Sequence, residues 1–334
     1  MDLVRLSFDG IEVEVRIDPE EPPSLRSLRT AAVEAVFDGP IVPLVEVLTP
    51  ATGHGLPVQR LSGTLIGAQL RYRGRSAIEH GWEVTLADPE TGLEVVVELT
   101  SLAPASLSAR ATVVNSTAER LVLTALTSLN LPVGPRLVGG LTTTETLEVL
   151  TGQSEWTGES RWQTTPVSEL LVDLRSPAGA VRKSACRWVS TGSWSTSDVL
   201  PVGVVVARDA PWAMAWQLEH NGAWRAELAE HQGRLQLSLS GPTDLDHGWL
   251  VALAPGERFT SVPVTVSFGT DTTTAIGALT TYRRAARRAH PDNAIPALVY
   301  NDYMNTLMGD PTTEKLLPLI DAAGRTGAVA LWSR

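Results

Sequence analysis

The amino-acid sequence predicts a mainly β chain that passes, after one helix, into a β-α-β unit of the parallel type. Three observations carry this. Up to about residue 270, short runs alternate apolar and polar side chains with period two, the spacing of a strand with one buried face. From Thr272 to Arg288 the apolar residues fall at helical spacing. Beyond Pro296, an unbroken apolar run, a polar loop, a helix and a second apolar run follow one another.

The β region opens with Val4–Phe8, the turn Asp9-Gly10 and Ile11–Ile17; an Asp-Gly pair between alternating runs is a hairpin signal. Trp82–Leu86 and Leu93–Leu99 make a second hairpin across Asp88-Pro89-Glu90-Thr91-Gly92. Ser106–Asn115 and Arg120–Leu129 are expected to make a third. Gly203–Ala207 and Ala213–Leu218 form a pair, and Arg234–Ser240, Gly248–Leu253 and Val262–Phe268 are further strands. Many strands with little helix argue for a sandwich, and a span of this length calls for an enlarged one.

Around residue 271 the pattern changes. Thr272 to Arg288 reads as a linker helix with Arg283, Arg284, Arg287 and Arg288 in its last turns, where they suit the helix dipole, and Pro291 stops it. Pro296–Tyr300 is then a short buried strand, and Asn301–Asp310 a polar loop. Asp310 is the expected N-cap, with Pro311 at the first helical position. The helix Thr312–Ala323 contains Pro318 and ends at Gly324 or Gly327, and Ala328–Leu331 is the second strand. The stretch from Pro296 to Arg334 is far shorter than the roughly 250 residues of a complete (β/α)8 barrel.

Composition narrows the function. Across 334 residues, 43% are hydrophobic and 19% charged, a balance that folds. The net charge of -10 disfavours nucleic acid and anionic membrane, while neutral ligands are indifferent to it. Cys186 is the one cysteine, which excludes an internal disulfide and a CxxC site. The first residues carry no basic-then-apolar leader pattern, and no apolar run reaches the length of a membrane helix, so the expected location is cytoplasmic. Ten tryptophans outnumber four tyrosines and four phenylalanines; indole faces fill sandwich cores and also stack on sugar rings.

The loop after the first parallel strand is the place to look for chemistry, since α/β barrels carry their reactive groups after the strands. Asn301, Asp302, Tyr303 and Asn305 supply hydrogen-bonding groups beside an aromatic ring, as hydroxyl-rich ligands require. The same residue types also shape turns and cap helices.

The run Y-N-D-Y-M-N-T-L-M-G-D-P-T-T-E-K-L-L-P-L-I-D-A-A, residues 300–323, resembles the start of the catalytic barrel of family-36 glycoside hydrolases, the melibiase-type α-galactosidases. Upstream, P-L-V-E-V-L-T (43–49), residues 62–72, D-P-E-T-G-L (88–93), S-T-G-S-W-S-T (190–196), W-Q-L-E-H-N-G-A-W (216–224) and S-G-P-T-D (240–244) resemble that family's N-terminal sandwich, in the same order. The resemblance covers nearly the whole chain and about the front half of a typical member.

It implies a large antiparallel β-super-sandwich over 1–270, a linker helix over 271–295, and the start of a (β/α)8 barrel over 296–334. It implies retaining hydrolysis of terminal α-galactosides in oligosaccharides, without cofactor or metal, by two aspartates, one attacking the anomeric carbon and one protonating the leaving oxygen. Both aspartates belong to later barrel strands in the family. The second strand runs there into an acidic motif followed by Gly-Trp, whereas this chain reads Gly327-Ala328-Val329-Ala330-Leu331-Trp332-Ser333-Arg334. The expectation is therefore a chain truncated or frame-shifted near residue 328 and inactive alone. By the same resemblance Asn301, Asp302, Tyr303 and Asn305 lie at the pocket floor, and Trp156, in E-W-T-G-E-S-R-W, leans over the sugar. The expected partners are α-galactoside oligosaccharides and a second copy through the sandwich. The alternative reading is a non-catalytic sandwich module for carbohydrate binding or oligomerisation.

Two smaller clusters read as structural. Asp244, Asp246 and His247 suit a connecting turn better than a cation cage, and His220 before Asn221-Gly222 suits a hairpin better than catalysis.

Overall fold

The computed structural model describes residues 2–54, 60–134, 146–155, 157–170, 185–231 and 234–332. The chain divides into two compact units, Met1–Ala285 and Ala286–Arg334.

In the first unit, β1 (Asp2–Phe8), β2 (Ile11–Asp18), β3 (Glu21–Thr30) and β4 (Glu34–Val36) form an antiparallel meander in that order. The expected Asp9-Gly10 turn joins β1 to β2, pairing Phe8 with Ile11. Gly10 is required there: its φ is +75°, and an added Cβ would stand 2.8 Å from the Pro104 ring. After β5 (Val47–Leu48) and the short α1 (Leu65–Gln69), a second meander runs through β6 (Arg71–Ile78), β7 (Gly81–Ala87), β8 (Glu94–Thr100) and β9 (Ser106–Val114).

The expected hairpin of 106–115 with 120–129 does not form. β10 (Leu121–Leu123) and β11 (Ala125–Pro132) leave the sheet of β9 and join other partners. Asn115 turns the chain, its Nδ2 donating to the carbonyls of Glu119 at 2.8 Å and Leu253 at 2.9 Å. The following apolar run can then face the core from the opposite sheet.

The remaining strands of the unit are β12 (Leu147–Gln153), β13 (Arg161–Pro166), β14 (Ala185–Ser190), β15 (Val199–Ala207), β16 (Ala213–Leu218), β17 (Trp224–His231) and β18 (Arg234–Ser240). After α2 (Asp244–His247) come β19 (Val251–Leu253), β20 (Arg258–Thr260) and β21 (Val264–Gly269). The large sheet runs β13-β12-β15-β16-β21-β9-β8-β7-β6, with β20 also on β9; the second runs β14-β17-β18-β11-β5. Every pairing described in this unit is antiparallel. β16 and β17 lie in different sheets, so His220, between them, sits on a crossing and not in a hairpin. Val97, Leu99 and Trp216 from the large sheet share one apolar core with Leu129, Leu237 and Leu239 from the other, which makes the unit a sandwich.

The outer faces are covered as well. α3 (Thr272–Ala286) packs Ala275, Leu279 and Tyr282 against Val204, Ala213 and Ala215 of the large sheet. Gly269, at the junction, is kept small because an added Cβ would meet the Ala275 nitrogen at 2.4 Å.

In the second unit, α4 (Pro291–Ala294) is capped by His290. β22 (Val299–Asn301) pairs in parallel with β23 (Ala330–Trp332), with Tyr300 opposite Leu331. α5 (Thr313–Arg325) is the crossover and contains Pro318. Its N-cap is Thr312, whose hydroxyl accepts from the Lys315 N–H at 3.3 Å, and not Asp310; Pro311 lies one residue outside the cap. Asp310 instead ion-pairs with Lys315. Gly327, with φ of +83°, carries the chain out of the helix.

Candidate functional site

β22 ends at Asn301, and the loop that follows has a defined form. The Asn301 Oδ1 accepts from the Tyr303 N–H at 2.9 Å, a turn that asparagine favours because its side chain reaches its own backbone two residues on. Residues Tyr303–Leu307 then make one π-helical turn, closed by Leu307 N–H donating to the Asp302 carbonyl and Met308 N–H to the Tyr303 carbonyl, both at 2.8 Å. Met308 (φ +49°) and Gly309 (φ +84°) reverse the chain toward α5. An added Cβ on Gly309 would approach the Tyr303 ring to 3.2 Å, so that glycine makes room for the phenol. The Tyr300 and Thr306 hydroxyls lie 3.2 Å apart and tie strand to loop.

The loop thus gathers four of the expected residues. Asn301 and Tyr303 are exposed, Tyr303 by 39%, while Asp302 is buried to 1% at the strand end. Asn305 lies on the same helical turn. Trp156 lies outside the described residues. The exposed amide and phenol at the C-terminal end of a parallel strand can donate to and accept from a ligand rich in hydroxyls, with the buried carboxylate behind them. No cluster of His, Cys, Asp and Glu suited to a metal ion occurs among the described residues, and no described helix is long and apolar enough to cross a membrane.

A second polar centre, in the first unit, was not anticipated. Alternation places Ala226 and Leu228 of β17 in the apolar core and turns Arg225 and Glu227 to the other face, where both are buried to 1% or less. Arg225 ion-pairs with Glu227 and, at 2.7 Å, with Asp246, which Arg187 also reaches at 3.0 Å. The segment 60–64 lies over this layer: Glu227 accepts from the Leu61 N–H at 2.7 Å, and Glu46 from the N–H groups of Gly63 at 2.8 Å and Thr64 at 3.0 Å. Thr64 also donates its hydroxyl to Glu46 (2.5 Å) while capping α1. Burial, with Glu227 nearby, pushes the Glu46 carboxyl up to about 7 against these donors.

This centre accounts for the acidic run at 244–246. Asp246 is an ion-pair partner, and His247 accepts from the Thr243 N–H at 2.9 Å with Nδ1 while Nε2 meets the Ser190 carbonyl at 3.0 Å. The run forms the one-turn helix α2 between β18 and β19. Cys186 is half-buried, and burial raises its thiol to about 11, so it is an unreactive filler.

No family model matches the sequence, and no curated protein sequence matches it. Solved structures do. α-Galactosidase AgaB of family GH36 from Geobacillus stearothermophilus superposes with a TM-score of 0.73 and 15% identity, over 99% of this chain and 50% of its own. AgaA from the same organism gives 0.74 and 14%, over 99% and 49%. The α-galactosidase from Lactobacillus brevis gives 0.70 and 12%, over 98% and 48%. Other AgaA structures hold raffinose, stachyose or 1-deoxygalactonojirimycin. The present chain spans about half the length of these structures. It has the fold of the GH36 α-galactosidases over that half: a large antiparallel β-sandwich, a helix and one parallel β-α-β unit.

Proposed function

We propose that this chain supplies the front portion of a retaining α-galactoside hydrolase of the melibiase type, and that the loop after β22 is part of its sugar site. The observation that carries the reading is the parallel β22-α5-β23 unit, whose first strand delivers Asn301, Asp302, Tyr303 and Asn305 to its C-terminal end. In a (β/α)8 barrel that is the catalytic end. The fold shared with α-galactosidases, one of which holds raffinose and stachyose in solved complexes, supports α-galactoside oligosaccharides as the ligand class. Trp156 contributes an aromatic face in this reading, as the sequence resemblance implies.

Chemistry by two carboxylates needs both on opposite sides of the bond being broken. The resemblance assigns both to barrel strands later than β23. The polypeptide 1–334 is therefore expected to bind an α-galactoside without cleaving it. The test is titration of purified protein with raffinose, alongside an assay with a nitrophenyl α-galactoside. The expected result is weak binding, reduced about fivefold by Asn301→Ala, the share of one neutral hydrogen bond, and no release of nitrophenol. Cleavage by the pure polypeptide would contradict the assignment of the carboxylates. Failure of raffinose to bind would contradict the assignment of the loop.

A further inference from the structure

The crossing from β16 to β17 contains Asn221-Gly222, the one Asn-Gly step in the chain. The two residues lie in no helix or strand, and Asn221 is exposed. Among the described residues, neither the Asn221 amide nor the Gly222 N–H makes a hydrogen bond. A laddered backbone would hold the Gly222 nitrogen away from the side chain before it, and no ladder holds it here. Glycine also has no Cβ to obstruct that approach and gives the backbone its widest range.

His220 brings a base to the same place. Outside its chain neighbours, the three atoms nearest the point where a Gly222 Cβ would stand all belong to the His220 ring, beginning with Nε2 at 3.0 Å. The imidazole thus folds over the residue whose N–H must ionise, within range of a proton transfer through one water. Burial lowers this imidazole below its ordinary range. The Glu219 carboxylate, next in the chain, is engaged elsewhere, by the Gln217 amide at 3.0 Å and by the Thr265 hydroxyl. A neutral imidazole keeps one bare nitrogen, which is the form that accepts a proton.

We propose that Asn221 is a site of self-modification, in which the Gly222 nitrogen attacks the side-chain carbonyl of Asn221 with His220 as the base. The Gly222 N–H gives up its proton to the ring as the new bond forms from nitrogen to Asn221 Cγ. The bond from Cγ to the side-chain nitrogen then breaks, that nitrogen takes the proton back, and ammonia departs from a five-membered succinimide. Water opens the succinimide at either carbonyl, giving aspartate or isoaspartate. The sum is amide plus water to acid plus ammonia, with no change of oxidation state. Either product adds a negative charge. Isoaspartate also lengthens by one carbon the backbone path between the two sheets that β16 and β17 belong to.

The test is incubation of the 334-residue protein at neutral pH, followed by peptide mass mapping and by enzymatic methylation of isoaspartate. Conversion at Asn221 is expected to run ahead of Asn293, which is exposed as well but lies in α4 with its Nδ2 bonded to the Arg288 carbonyl at 3.2 Å. His220→Gln keeps a polar side chain and removes its basicity; it should slow the conversion roughly tenfold or more, and added imidazole should restore the rate. A histidine that only shapes the crossing would show no such rescue. Should His220→Gln unfold, His220→Phe with and without imidazole decides in its place. The proposal is overturned if Asn221 converts no faster than Asn293, or if loss of the His220 ring nitrogens leaves the rate unchanged.

Discussion

At the residue scale, Glu46 is a group whose burial bears directly on stability. It is fully buried, holds three donors of residues 63–64, and titrates near 7 where a free glutamate titrates near 4.5. A carboxyl raised in the folded state binds its proton there more tightly than in the unfolded chain. Its contribution is present in full below about 4.5 and is lost as pH rises through about 7. That interval corresponds to about 3 kcal/mol. Urea unfolding from pH 4.5 to 8 should show stability falling across the interval, and Glu46→Gln, less stable because it sets an amide against N–H donors, should flatten that slope. An unchanged slope in the variant would place the titration elsewhere. Glu46 stands inside P-L-V-E-V-L-T, one of the segments that resembles the glycosidase sandwich, yet nothing in a single sequence says that a glutamate between valines is buried. The alternation around Arg225 and Glu227 misleads in the same way. Period two reports two faces, and the polar face is taken for the wet one unless the segment laid over it is known.

At the element scale, α3 and α5 differ in how they are held. α3 rests on the large sheet through Ala275, Leu279 and Tyr282, and Leu279 is 1% exposed. Leu279→Ala should cost about 2–5 kcal/mol in a thermal or urea unfolding curve of the first unit. α5 keeps Leu317 56% and Ile320 45% exposed and interrupts its own ladder at Pro318. Pro318→Ala restores one N–H and removes a ring clash, and should raise helix content by circular dichroism and stabilise the second unit by up to about 3 kcal/mol. Both helices were legible from apolar spacing, as were the hairpins at Asp9-Gly10 and Asp88–Gly92, where local turn chemistry sets the pairing. The hairpin expected at 115–119 was not. Its turn residues are right, but the choice between pairing with the previous strand and crossing to the facing sheet depends on the long-range bond from Asn115 to the Leu253 carbonyl. The cap of α5 shifted by two residues because Thr312 and Asp310 both suit the position, and only the geometry chooses.

At the scale of the whole molecule, the chain comprises a sandwich with a continuous apolar core and a small unit with much apolar surface in the open. Leu298, Val299 and Val329, in and beside β22 and β23, are exposed by 54%, 52% and 74%. Soluble domains seldom leave such strands bare, and the parallel β-α-β arrangement is one that more strands and helices of the same kind cover. The loop after β22 was legible as a loop dense in hydrogen-bonding side chains, and its turn now has a geometry; the buried ionic layer around Arg225, Glu227 and Asp246 was not, since the groups that close it come from segments far apart in the chain. The proposed function rests on β22 and β23 running in the same direction. The direct measurement is a set of interstrand nuclear Overhauser contacts in protein labelled at Val, Tyr, Asn, Ala, Leu and Trp. Same-direction pairing predicts backbone contacts of Val299 with Ala330, Tyr300 with Leu331 and Asn301 with Trp332. Contacts of Val299 with Trp332 and Asn301 with Ala330, or of either strand with the strands of the sandwich, would contradict it.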